Sequence, residues 1–154
     1  LIEVASVLAA GSWDPERARD SVLIDFDRRH RRRIVMPTEG GDQVMIDLPH
    51  AVRLRDGDGL QTSDGGIVRV VARPEPLLEI TAASPADLVR VAWHLGNRHL
   101  PVQLLGDRVR IRDDHVIADM VRTLGAAAEP VQAPFDPEAG AYAGGHPHAH
   151  AHDD

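Results

Sequence analysis

Cysteine is absent from the 154 residues, which removes disulfide frameworks, thiolate metal sites and cysteine nucleophiles together. Any metal chemistry therefore rests on nitrogen and oxygen ligands. Aromatics are scarce, with two Trp, one Tyr and two Phe, so aliphatic side chains must fill whatever core forms. Positive charge is outnumbered: 17 Lys and Arg stand against 24 Asp and Glu, a formal net charge of −7. That balance argues against a general nucleic-acid binder, because neutralising phosphates needs a basic footprint. No apolar run approaches the length of a membrane span, and the opening LIEVASVLAAGSWDPE lacks the basic first segment of a signal peptide. The expectation is a soluble, cytoplasmic protein that meets neither membrane nor nucleic acid. Enzyme motifs are missing as well. No P-loop, GxGxxG turn, nucleophile elbow or HExxH helix occurs, so no catalytic activity is expected.

The length suits one domain or two small ones, and 43% hydrophobic residues are compatible with a buried core. From the start to Ala72 the pattern is one of short strands. Val22, Ile24 and Phe26 alternate with Leu23, Asp25 and Asp27, and 34–36, 43–48, 51–54 and 66–71 read as further strands. Glu39-Gly40-Gly41-Asp42, Asp56-Gly57-Asp58-Gly59 and Ser63-Asp64-Gly65-Gly66 supply the turns between them. Residues 1–72 are thus expected as an all-β domain, and Arg73-Pro74-Glu75-Pro76 as a linker, since proline cannot continue a central ladder.

Beyond the linker, 77–81 reads as a strand. Ser84-Pro85-Ala86-Asp87 reads as a helix start, with serine as cap, proline in the first turn and an acid at the positive end of the dipole. The helix is predicted to run to Asn97. Its apolar face is wide enough to suggest burial against a sheet and against a second surface. Strands at 101–105 and 108–112 flank the turn Gly106-Asp107, and Asp113 or Asp114 caps a second helix that Gly125 stops. A last strand at 129–133 completes the order β-α-β-β-α-β over residues 77–134, the ferredoxin-like arrangement. The fold class is therefore α+β. Residues 135–154 turn to Ala, Gly, Pro and His, a composition expected to stay disordered without metal.

That tail ends in GGHPHAHAHDD, where His146, His148, His150 and His152 alternate with small residues. Residues two apart in an extended chain point to the same side, so neighbouring imidazoles can converge on one nickel, copper or zinc ion. An expression tag usually has consecutive histidines; these are spaced and followed by Asp153-Asp154. His94 shares a polar stripe with Arg90 and Arg98, where an exposed histidine needs no role, and His99 falls just beyond the helix, where its ring can project from the surface. His115 follows two aspartates at the second helix start, as a solvated residue or part of a weak accessory metal site. His30 and His50 have no ligand-spaced partners. The basic run Arg28-Arg29-His30-Arg31-Arg32-Arg33 reads as the solvated end of a hairpin or a contact for an acidic partner.

Ala92-Trp93-His94-Leu95-Gly96-Asn97-Arg98-His99-Leu100-Pro101-Val102-Gln103 and the helix beginning Asp114-His115-Val116-Ile117-Ala118-Asp119-Met120 together resemble the signature segments of the urease accessory protein UreE family, the nickel metallochaperones of urease maturation. The resemblance extends to the histidine-rich tail. It implies an N-terminal domain like the peptide-binding modules of heat-shock cochaperones and a ferredoxin-like C-terminal domain that forms a two-fold dimer. It also implies that His99 sits at the dimer interface and binds Ni²⁺ with its symmetry mate, with His94 a less direct match. His115 matches a peripheral metal-binding histidine of some members. Those members carry a second histidine two positions earlier, where this chain has Asp113.

Nickel is then cargo rather than cofactor, with Zn²⁺ or Cu²⁺ able to occupy the same imidazoles. Two His99 side chains are too few for a stable site, and the tail histidines would supply the rest and release the ion again. The implied partners are a second copy of the chain, an accessory GTPase and the apo-urease complex. A competing reading is a nickel or zinc storage protein with no delivery partner. A third treats the β half as an interaction module with the basic run as its contact.

Overall fold

The computed structural model describes residues 1–140, and the four tail histidines, His146, His148, His150 and His152, lie outside them. The described residues form two compact units: Leu1–Leu77 with Val131–Asp136, and Leu78–Pro130 with 137–140. The protein is α+β, as its sequence pattern predicts.

The first unit is a curled six-stranded sheet built from β1 (Ile2–Leu8), β2 (Ala18–Ile24), β3 (His30–Pro37), β4 (Gln43–Arg53), β5 (Gly59–Thr62) and β6 (Ile67–Ala72). The strand order is β2-β6-β5-β1-β4-β3. β1 with β4 and β2 with β6 are parallel pairs, and the remaining pairs are antiparallel. Period-two alternation places Val22, Ile24, Met36, Val44, Ile46, Val68 and Val70 on one buried face. The two strands expected at 43–48 and 51–54 are one strand, β4. Its register against β3 shifts between the pairs Arg31↔Val52 and Arg33↔Asp47, so Leu48–Ala51 bulge where the sequence reads an interruption.

Residues 73–76 form no free linker, since Pro74 opens β7 (Pro74–Thr81). The second sheet has the order β10-β7-β9-β8, with β8 at Gln103–Leu104, β9 at Val109–Arg112 and β10 at Ala127–Pro134. Two helices alternate with these strands, α1 (Pro85–Asn97) and α2 (His115–Thr123), giving the β-α-β-β-α-β order. Ser84 caps α1 by accepting from Asp87 N–H, and Asp114 caps α2 by accepting from Val116 and Ile117 N–H. Val91 and Leu95 of α1 pack with Ile117, Ala118 and Val121 of α2 and with Leu78, Ile80, Val109 and Ile111 of the sheet. No helix among the described residues is long and apolar enough to cross a membrane.

Two expectations need correction. Packed structure does not end at 134, because Phe135 is fully buried with Phe26 and Leu77 and meets the Phe26 ring edge-on at 5.1 Å. Nor is the basic run uniformly solvated. Arg29 is 0% exposed; it donates to the Phe135 carbonyl and to the Asp25 carbonyl and lies 4.0 Å from both Glu75 and Asp136. Burial depresses its pKa while the two carboxylates raise it. An ion taken from water must be paired to be tolerated, and these groups do the pairing.

Candidate metal site at the end of the first helix

Both helices of the second unit end in the same motif, and the difference between them marks the site. At the end of α2, Gly125 N–H donates to Arg122 O at 2.9 Å and Ala126 N–H to Val121 O at 3.2 Å, with Gly125 at φ +88°. At the end of α1, His99 N–H donates to Gly96 O at 2.9 Å and Leu100 N–H to Leu95 O at 3.3 Å, with His99 at φ +59°. These are Schellman turns, whose left-handed position favours glycine. Among the described residues His99 is the one non-glycine residue with positive φ. A Cβ in that conformation costs on the order of 1 kcal/mol, and strain of this kind gathers at functional positions. The turn leaves His99 exposed, two residues beyond the end of α1 at Asn97.

His94 lies in the last turn of α1, half-buried, its ring edge-on to Trp93 at 5.0 Å. The wide apolar face of α1 divides: Val91 and Leu95 enter the core, while Val89 is 69% and Trp93 63% exposed. This second pair is separated by about one helical turn and precedes the helix end that His99 follows. The sheet therefore accounts for only one of the two surfaces the sequence pattern implied.

His115 is the first residue of α2 and is exposed. Asp114 is engaged as the helix cap, whereas Asp113 and Asp114 both line a cleft of about 330 Å³ with Leu100, Pro101, Ile111, Arg112 and Ile117. The residues that follow His99 and those that precede His115 thus share one rim. Among the described residues no group of three or more His, Asp and Glu comes together in a way that could hold a metal. His30 is exposed and its Nδ1 accepts from Arg53 Nε at 3.3 Å, and His50 is exposed. Chemically, the site offers accessible imidazole nitrogen without a closed ligand cage.

Fold and site define a two-unit α+β protein that presents imidazoles at a helix end. The chain belongs to the UreE urease accessory protein family: the family model for the UreE N-terminal domain matches residues 2–73 and that for the C-terminal domain matches residues 75–154. Among its relatives, the urease accessory protein UreE of Rhodopseudomonas palustris strain HaA2 is 54% identical over 146 residues, covering 95% of this chain and 67% of the relative. That of Bradyrhizobium sp. strain BTAi1 is 54% identical over 154 residues, 100% of this chain and 74% of the relative. The Beijerinckia indica subsp. indica protein is 47% identical over 152 residues, 99% of this chain and 87% of the relative.

Sequence reasoning named His99 but missed its strained backbone. The only signal was a helix that stops after Asn97 with no glycine at the left-handed position, and this reads equally well as a helix ending elsewhere.

Proposed function

We propose that this chain is a dimeric nickel chaperone of urease maturation. Two copies meet across the α1 face that carries Val89 and Trp93, and this brings His99 of each copy to the two-fold axis. The tail histidines complete the ligand set around Ni²⁺, which is passed through an accessory GTPase towards apo-urease. The observation that carries the reading is the exposed His99 held in a conformation suited to glycine, at the end of a helix whose apolar face is half uncovered.

The physical argument runs from ligand count. A single described protomer brings fewer than three suitable ligands together, whereas a two-fold axis doubles every contribution and the tail adds four imidazoles. An assembly of that kind binds without a preformed cage, so the ion can leave without unfolding the domain. His94 and His115 are accessory to this arrangement. Zn²⁺ and Cu²⁺ can take the same nitrogen ligands, so selectivity comes from supply and delivery rather than from the imidazoles.

Nickel calorimetry on the full chain, a chain ending at Gly145, and His99→Asn in both backgrounds tests the reading. Asparagine tolerates left-handed φ, so the turn is kept while the imidazole is lost. The tightest event should vanish with His99→Asn. Unchanged tight binding by His99→Asn in the shortened chain would overturn the interface site. Several ions per chain without GTPase association would favour storage over delivery.

A further inference from the structure

Five of the 17 cationic residues fall within Arg28–Arg33, and they serve two unlike purposes. Arg29 is internal and carboxylate-paired. Arg28, Arg31, Arg32 and Arg33 are exposed, and among the described residues none of the four forms an ion pair. Asp47 is opposite Arg33 in register, is itself exposed, and makes no ion pair with it.

These arginines lie on an open edge. Among the described residues β3 is the last strand of its sheet and pairs with β4 alone. The sheet curls so that Glu39 N–H, just after β3, donates to Ser21 O of β2 at 2.8 Å. Upstream of that point, from His30 to Val35, the outer side of β3 carries no strand among the described residues. Met36 is buried and Ile34 half-buried towards the core, so Arg33 and Val35 face outward by alternation, with Val35 44% exposed.

We propose that the outer edge of β3 is a docking surface for an extended acidic segment of a partner protein, which adds alongside the strand and sets carboxylates against Arg31 and Arg33, the two arginines that share the outward face with Val35. Strand addition supplies main-chain hydrogen bonds, and side chains at alternate positions supply selectivity. The cations are all guanidinium groups, whose planar fork matches a carboxylate in a two-point contact. Charges on edge strands also discourage pairing between identical edges, a task one or two suffice for. Three consecutive arginines with no ion pair among the described residues, in a chain of net charge −7, do more, since they repel a second copy of this edge and attract the opposite sign. A protein segment fits better than nucleic acid. The overall charge opposes a polyanion, and the aromatic ring nearest the run, Phe26, is buried rather than offered for base stacking. The surface shares no residue with the histidine site and stands independently of the nickel reading.

The probe is an acetylated, fluorescein-labelled heptapeptide of alternating Glu and Val, used with the full chain. Hydrogen exchange should slow at the amides of Arg31–Val35 when the peptide is added. The affinity measured by anisotropy should fall at least about tenfold in R31E/R33E and more modestly in Arg33→Glu. Both variants should keep the wild-type circular dichroism, because the altered side chains are exposed. Unprotected β3 amides at saturating peptide, or equal binding by the variants, would overturn the proposal. Tighter binding of a twelve-nucleotide single-stranded DNA than of the peptide would also overturn it and make the edge a nucleic-acid surface.

Discussion

Arg29 donates through Nη2 to the main-chain carbonyl of Phe135, a residue 106 positions further along the chain. The contact closes the first unit around the returning segment Val131–Asp136, and Arg55 adds a two-point pair to Asp136 at 2.9 and 3.0 Å. Replacing Arg29 by Ala leaves the Phe135 carbonyl without this donor and removes the buried cation facing Glu75 and Asp136. Breaking a buried pair from one side costs about 3 kcal/mol. Urea unfolding of the full chain should show that loss, with Arg29→Lys intermediate because an ammonium lacks the guanidinium fork. A loss below about 1 kcal/mol would mean that the pairs contribute little.

Asp64 accepts from the Thr62 hydroxyl and pairs with Arg19 at 2.9 Å. The Thr62 hydroxyl and then the Arg19 guanidinium hold its carboxyl down at about 2, from an ordinary value of 3.8. A depressed carboxylate stabilises the fold above the unfolded pKa, and the contribution is lost as pH falls through the folded one. The stability difference between the wild type and Asp64→Asn should therefore be constant above pH 5 and shrink between about pH 4 and pH 2. Urea midpoints measured across that range check it, and a difference independent of pH would show that Asp64 carries no linkage.

Much of this architecture could be read in advance, for reasons that are local. Ser84, Pro85 and Asp87 start α1 where the capping chemistry says, and Gly125 stops α2. The period-two runs in the first half give the sheet but not its order, because pairing such as β2 with β6 depends on contacts far apart in sequence. β1 and β5 likewise carry too little alternation to stand out as separate strands. The buried role of Arg29 left no trace at all. A charge run looks solvated, and only the return of Phe135 makes one of its members internal. Of the candidate site, residue types and spacing alone left His99 open and the resemblance of 92–103 to a family signature singled it out, whereas its positive φ is a property of how the turn closes on Leu95 and Gly96.

The strain at His99 predicts opposite effects on stability and binding from one substitution. In a Schellman turn, glycine at the left-handed position relieves the Cβ conflict, as Gly125 does at the end of α2. His99→Gly should therefore raise stability by about 1 kcal/mol, while loss of the imidazole should weaken nickel binding as the proposed role of His99 requires. Thermal unfolding without metal and nickel calorimetry on the same sample read the two effects. Lower stability together with intact nickel affinity would reverse the assignment of this position to function.

The exposed pair Val89 and Trp93 gives the corresponding test of assembly. Both side chains already face solvent in the single chain, so Val89→Glu with Trp93→Glu removes no core contact and should change the stability of the isolated fold by less than about 0.5 kcal/mol. If two copies meet on this face, however, the same changes place four carboxylates across the axis, and like charges brought together cost several kcal/mol. Sedimentation should then show dimer for the wild type and monomer for the variant. Tight nickel binding should fall with dimerisation even though every histidine remains, because the two His99 rings no longer meet. A variant that is monomeric yet binds nickel as tightly as the wild type would separate the metal site from the interface. A variant that stays dimeric would move the interface off α1.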